Sequence, residues 1–392
     1  MEINDVKRII MHIDVNNAFL SWTAVDLLKK GHNDIRNEYA VIGGDESKRR
    51  GVVLAKSIPA KKRGVKTAET LYSARKKCPY LNVYPPNREL YDKMSSNLFK
   101  LLSKYTSDIE AVSIDECFLD YGKVKNLYGD ELEFAKKIKN EIYKTFGFTV
   151  NIGIANNKLC AKMASDFSKP NKIHTLYDYE VKEKMWPLKI EDLYGIGKSS
   201  ALKLRNLKIE TIKDLANADK NLLYPYFKNQ SQYIIDIANG IDDSPVVSEI
   251  TDAKCISSTY TLLYDYDDIF EINKELKKIS NSLSAELKSQ NKYCGTIAII
   301  IKDMYFKTTT HQTKLKNSTN SEDIIYEIST KLFKEHWDLT PVRLIGIRLD
   351  SLTENNDYQI SLFENIEEKV SKDNLDKTID FLRKKYGNKI IK

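Results

Sequence analysis

Ile109-Glu-Ala-Val-Ser-Ile-Asp-Glu-Cys-Phe-Leu-Asp-Tyr121 sets two carboxylates, Asp115 and Glu116, side by side in an otherwise apolar, strand-like run. A flat strand sends neighbouring side chains to opposite faces. Both acids reach one site only if the backbone bends there, as at the tip of a hairpin. Carboxylates removed from water need cations. A second apolar run, Ile9-Ile-Met-His-Ile-Asp-Val-Asn-Asn-Ala-Phe19, also leads into an acid, Asp14. Oxygen ligands from two strand ends suit a hard divalent ion such as Mg2+. Each acid alone reads most simply as an exposed turn residue. Two such sites, each closing a hydrophobic strand, favour a shared one.

Composition bounds the rest. A chain of 392 residues suggests roughly two to four domains. Its 42% hydrophobic content is enough for real cores, and its 30% charged content points to a soluble chain. No apolar run approaches the length of about 18 residues that a membrane span needs. The first residues, Met-Glu-Ile-Asn-Asp-Val-Lys-Arg, lack a signal-peptide core. Cys78, Cys117, Cys160, Cys255 and Cys294 are scattered without a CxxC pair, which argues against zinc and disulfides and for a reducing, cytoplasmic setting. A net charge of +7 permits a polyanionic partner.

Periodicity predicts a strand at 8–14, then a helix carrying Phe19, Trp22, Val25 and Leu28, capped by Asn16 or Asn17 and stopped at Gly31. Residues 40–56 read as a hairpin, followed by a basic segment from Lys56 to Lys66. A helix at 70–78, a strand at 81–84 and a helix at 88–105 precede the acidic hairpin. A helix at 131–146, a strand at 149–154 and a helix at 157–168 follow it. Short helices fill 190–240, and 242–245 reads as a linker. Strands return at 255–263, 295–301, 308–315 and 342–349, with helices at 273–290 and 322–334 between them. Beyond residue 353 the chain is polar, with a last amphipathic helix carrying Leu375, Ile379, Leu382 and Tyr386.

"HIDVNNAF", followed about a hundred residues later by "SIDE", resembles the Y-family (DinB/UmuC-like) translesion DNA polymerases of bacteria. The resemblance runs from about Ile9 to Phe363. It implies an α+β, multidomain right-hand fold: a palm with an antiparallel sheet (1–25 and 73–172), small fingers (26–72), a helical thumb with a helix-hairpin-helix (173–243), a linker (244–253), an α+β little finger (254–352) and a tail (353–392). It implies template-directed, error-prone synthesis on damaged DNA from dNTPs, with two Mg2+ ions held by Asp14, Asp115, Glu116 and the carbonyl of Val15.

Phe19 matches the family's steric gate, a ring that blocks a ribose 2′-OH; periodicity alone makes it a core residue. Ser57, Lys61 and Lys169 match triphosphate-binding positions. Many members carry Ser-Tyr-Glu-Ala-Arg where this chain has Ser57-Ile58-Pro59-Ala60-Lys61. Ile58 has no hydroxyl to donate, and Lys61 is a point charge rather than a bidentate fork. Leu193-Tyr-Gly-Ile-Gly-Lys198 matches a helix-hairpin-helix, in which Gly195, Gly197 and Lys198 approach a DNA phosphate; an ordinary helix–helix turn is the alternative. Lys302, Lys307, Lys314, Arg343 and Arg348 are candidate DNA contacts of the little finger, unless they merely form its solvent face.

Gln359-Ile-Ser-Leu-Phe363 resembles the sliding-clamp-binding pentapeptide, with Gln359, Leu362 and Phe363 as its anchors; otherwise it docks on its own chain. The expected partners are primer–template DNA, dNTP and the clamp, with no membrane and a monomeric state. Two other readings stay open: a catalytically weak or inactive DNA- and clamp-binding regulator on the same fold, and a nucleotide cyclase. The cyclase has no use for the helix-hairpin-helix, the extra domain or the tail.

Overall fold

The computed structural model describes residues 8–49, 51–249 and 252–354, together with Thr378. The pentapeptide 359–363 and the expected tail helix lie outside the described residues. The chain divides into two compact units, residues 1–251 and 252–392.

The first unit begins with β1 (Ile10–Val15), α1 (Ala18–Lys29), β2 (Ala40–Gly43), β3 (Val53–Lys56), α2 (Ile58–Lys62), α3 (Leu71–Lys77), β4 (Asn82–Tyr84) and α4 (Arg88–Leu102). It continues through β5 (Ile109–Ala111), β6 (Glu116–Asp120), α5 (Lys125–Tyr128), α6 (Glu131–Phe146), β7 (Val150–Ala155), α7 (Lys158–Asp166) and β8 (Ile173–Leu176). It closes with α8 (Lys198–Asn206), α9 (Ile212–Ala216), α10 (Lys220–Phe227) and α11 (Ser231–Ala238).

A five-stranded sheet in the order β5-β6-β1-β7-β8 forms the centre. All six residues of β1 are buried, as befits a strand flanked and covered on both sides. Four strands are antiparallel, but β8 pairs with β7 in parallel. The sheet is therefore mixed, a correction to the expected antiparallel one. Residues 173–175 are half-buried and Leu176 is buried at this edge, with too little apolar alternation to announce a strand.

Helices α4 and α6 bury Met94, Leu98, Leu101, Phe134, Ile138 and Ile142 with Trp22 of α1 in one core. Their spacing of three and four residues is what aligns them on one face. Asp130 opens α6 by accepting from the amides of Leu132 and Glu133, and Gly147 ends it in a left-handed turn. Neither Asn16 nor Asn17 caps α1 through its side chain: Asn17 bonds the carbonyl of Lys56, and Asn16 bonds Asn151, Thr149 and the amide of Asn171. Both asparagines tie distant strands together instead.

Strands β3-β2-β4 form a small separate sheet, in which β2 and β3 pair antiparallel as the hairpin reading requires. It takes in β4, so its core does not stop at residue 72. The basic segment holds a helix the sequence reading omitted, α2, capped by Ser57 with Pro59 in its first turn. The linker residues 242–247 are held by the first unit. Asp242 accepts from the amide of Leu159, and Lys158 donates to the carbonyl of Pro245.

Helix α7 lies so close on β7 that a Cβ on Gly153 would meet the Ala161 carbonyl oxygen at 1.9 Å. Gly153→Ala is therefore expected to lower the stability of the first unit by about 3 kcal/mol or more, since backbone cannot yield as a side-chain tip does. The drop in thermal midpoint against wild type checks it.

The second unit holds β9 (Cys255–Tyr266), α12 (Ile269–Ser289), β10 (Tyr293–Asp303), β11 (Thr308–Thr319), α13 (Glu322–His336) and β12 (Val342–Thr353). Its antiparallel sheet, ordered β11-β10-β12-β9, buries Ile297, Ile299, Ile345 and Ile347 against the two helices. Among the described residues no helix is long and apolar enough to cross a membrane.

Candidate active site

The two apolar runs lie side by side. Asp14 pairs with Glu116 across β1 and β6, and the amide of Val15 donates to the carbonyl of Asp115 at 3.0 Å. The required bend is present: residues 112–115 form the turn between β5 and β6, and the amide of Val112 returns to the carbonyl of Glu116. The backbone thus gathers residues 14, 15, 115 and 116 at one end of the sheet.

Each carboxylate has its own partner. Lys169 donates to Asp14 and sits 2.8 Å from Asp166. Lys162 reaches Glu116 at 2.5 Å, and His12 lies 3.3 Å from the same oxygen. Asp115 accepts from the hydroxyl of Ser113. Among the described residues, no three His, Cys, Asp or Glu side chains are gathered as ligands of one metal ion. Like charges explain the splaying, for three carboxylates repel and each turns to the nearest donor. The donor set still fits a hard divalent ion, being carboxylate and carbonyl oxygens. An ammonium already resting on Asp14 and another on Glu116 show that both accept a cation.

Electrostatics separate the two acids. The close approach of His12, against some burial, holds Glu116 down to about 2, with Lys162 adding to the effect. Burial pushes Asp14 above the usual carboxylate range, and Lys169 offsets only part of that. Asp14 therefore holds a proton more readily than Glu116.

His12 and Lys162 were absent from the sequence reading. Period two along β1 puts His12 on the face of Asp14. Lys158 and Lys162 stand one turn apart on α7 and reach Glu110 and Glu116 in turn. Those spacings were the available signals.

Phe19 is half-buried and stacks on Tyr91, with centroids 4.6 Å apart and planes at 14°. It packs against the edges of two cores. Ser57 is fully buried; its hydroxyl donates to the carbonyl of Glu38 and accepts from the amides of Ala60 and Ala40. Its geometry is that of a helix cap, not of a nucleotide ligand. Lys61 is exposed on α2.

Gly195 has φ +93°, and Gly197 precedes α8 with open space around its missing side chain. Lys198 is exposed beside them, while Leu193, Ala201 and Leu204 are buried. Leu202 is exposed.

In the second unit the alternation that buries the isoleucines sends Lys302, Lys314 and Arg348 to the opposite face of the sheet. Arg343 does not join them. Its guanidinium lies over the ring of Phe306 at 4.4 Å and 3.6 Å from Asp265, beside a register shift between Val342 and Leu344. Gln359, Leu362 and Phe363 lie outside the described residues.

The impB/mucB/samB family matches residues 13–166, its C-terminal domain residues 253–362, and the IMS family HHH motif residues 179–209. A DNA polymerase IV of Clostridium acetobutylicum is 47% identical over 390 residues, 98% of this chain and 97% of that one. DNA polymerase IV 1 of Bacillus subtilis is 34% identical over 391 residues, 98% of this chain and 92% of its own. A Y-family DNA polymerase chimera superposes with a TM-score of 0.77 at 28% identity, over 88% of this chain and 100% of that one. DinB from Sulfolobus solfataricus gives 0.57 at 27%, over 87% and 98%. With its carboxylates on adjoining strands, a turn of the helix-hairpin-helix type and relatives alike from end to end, the chain belongs to the impB/mucB/samB family as a bacterial, DinB-like Y-family DNA polymerase.

Proposed function

We propose that this chain performs template-directed nucleotidyl transfer on damaged DNA. The primer 3′-oxygen attacks the α-phosphorus of a dNTP, and the bond to pyrophosphate breaks. The observation that carries the reading is the pairing of Asp14 with Glu116 on neighbouring strands, with Asp115 at the adjoining turn. Asp14, the carbonyl of Val15, Asp115 and Glu116 are the residues to hold two Mg2+ ions. When bound, the ions supply positive charge to the attacking and leaving oxygens.

The protein's own groups do the rest. Glu116, ionised down to about 2, is ready to accept a cation throughout the physiological range. Lys169 moves from Asp14 to a triphosphate oxygen as the nucleotide enters. Phe19, braced by Tyr91, forms the wall beneath the sugar. Backbone N–H groups at Gly195 and Gly197, with Lys198, hold a duplex phosphate without reading bases. Lys302, Lys314 and Arg348 form a second basic surface. The open, loosely gripping site accepts distorted bases and gives up fidelity. Residues 359–363 recruit the monomeric enzyme to the sliding clamp in the cytoplasm. Of the other readings, the regulator rests only on Ile58 and Lys61.

Primer extension by the purified chain opposite an abasic site tests the activity. Extension is expected with Mg2+ and none in excess chelator; synthesis that survives chelation ends the metal assignment. Affinity for primer–template should fall roughly 10-fold or more between 50 and 200 mM salt if only a few phosphates are contacted. A salt-independent Kd would remove the phosphate contacts from the account.

A further inference from the structure

Lys56 ends β3 and is tied to the stretch that follows β1. Asn17, three residues past Asp14 and two before Phe19, donates its side-chain N–H to the carbonyl of Lys56 at 2.8 Å. That bond fixes the Lys56 backbone beside the turn that follows β1. Along β3, Val53 and Ala55 are buried in the two small cores, while Leu54 and Lys56 take the other face. Leu54 is 37% exposed there, so that face is open among the described residues.

The charges around Lys56 are unbalanced. Its Nζ donates to the hydroxyl of Thr67 at 2.7 Å, a neutral acceptor. The acid that most influences it, Glu69, is already committed to Lys77, Ser73 and the amide of Lys66. Burial, with the nearby charge of Lys61, lowers the Lys56 pKa. Two ammonium groups near each other, one of them half-buried and without a carboxylate of its own, favour the arrival of an anion. The adjoining residues leave room for such a role. Ile58 has no hydroxyl, the Ser57 hydroxyl is used within the fold, and Lys61 supplies one point charge.

We infer that Lys56 binds the triphosphate of the incoming nucleotide, its ammonium turning from Thr67 to a phosphate oxygen beside Lys61. The inference rests on the reading that a nucleoside triphosphate occupies the site next to Asp14. It adds a contact drawn from the end of β3 rather than from α2.

Lys56→Met keeps the aliphatic stem and removes the charge. In single-nucleotide insertion by the full chain with Mg2+, KM for the dNTP should rise about tenfold, the loss of one charge-assisted hydrogen bond. Over the same assay kcat should stay within about twofold, because a contact kept from ground state to transition state changes KM alone. Lys56→Arg should recover most of the lost affinity. The thermal midpoint and the Kd for labelled primer–template should not move.

A Lys56→Met enzyme with the wild-type KM overturns the inference. So does a fall in DNA affinity that matches the rise in KM, which would make Lys56 a DNA contact. Inorganic tripolyphosphate, titrated calorimetrically, gives a reading independent of synthesis. It should bind wild type more tightly than Lys56→Met; equal binding overturns the inference. If the wild-type chain extends no primer, the polymerase reading fails, and the tripolyphosphate comparison still decides the role of Lys56.

Discussion

Asp115→Ala/Glu116→Ala is expected to lower primer extension by roughly 10^4-fold, because each lost group that stabilises developing charge costs about 10^2–10^3. The two carboxylates serve one end of the sheet, so their removal leaves only Asp14 and the carbonyl of Val15 to hold the cations. Single-turnover insertion with saturating DNA and dNTP reads the chemical step directly. The double variant also leaves Lys162 and His12 without their acid. Orphaned partly buried cations destabilise, so a thermal melt must accompany the kinetics. Asp115→Asn keeps the shape and removes only charge. If the folded Asp115→Asn enzyme extends primers at the wild-type rate, Asp115 is not a metal ligand.

Phe19→Ala is expected to reduce the preference for dNTP over rNTP by roughly 10^2-fold, the scale on which a pocket rejects a misfitting group. The argument is one of exclusion: a wall rejects the 2′-hydroxyl by overlap and adds little to the binding of the correct sugar. The ring can act as a wall because it is held. It stacks on Tyr91, whose hydroxyl meets that of Thr23 at 3.0 Å. The measurement is the ratio of kcat/KM for dATP and ATP opposite thymine. A ratio that does not move gives Phe19 back to the core. Tyr91→Ala should move the ratio in the same direction and by less, since it loosens the wall without removing it.

Much of this was written in local pattern. Apolar runs beside acids marked β1 and β6, spacing of three and four marked α4 and α6, and the apolar runs 295–301 and 342–349 marked two strands of the second sheet. Binary pattern is read one element at a time, and these elements repeat their pattern for long enough to be legible. The edge strand β8 and the five-residue helix α2 were missed because each is too short to show a period.

Tertiary structure decided the roles of individual polar side chains. The family resemblance offered Ser57 as a nucleotide ligand; the fold spends its hydroxyl on Glu38 and α2. Arg343 and Arg348 are indistinguishable by charge, yet the first lies over the ring of Phe306 and the second on the open face. His12 and Lys162 met Glu116 only when β1, β6 and α7 were packed. The order of residues by itself determined most of the elements and set acids near the facing ends of β1 and β6. Which cation each acid meets depends on contacts between residues 46 to 155 positions apart, and no local rule carries that information.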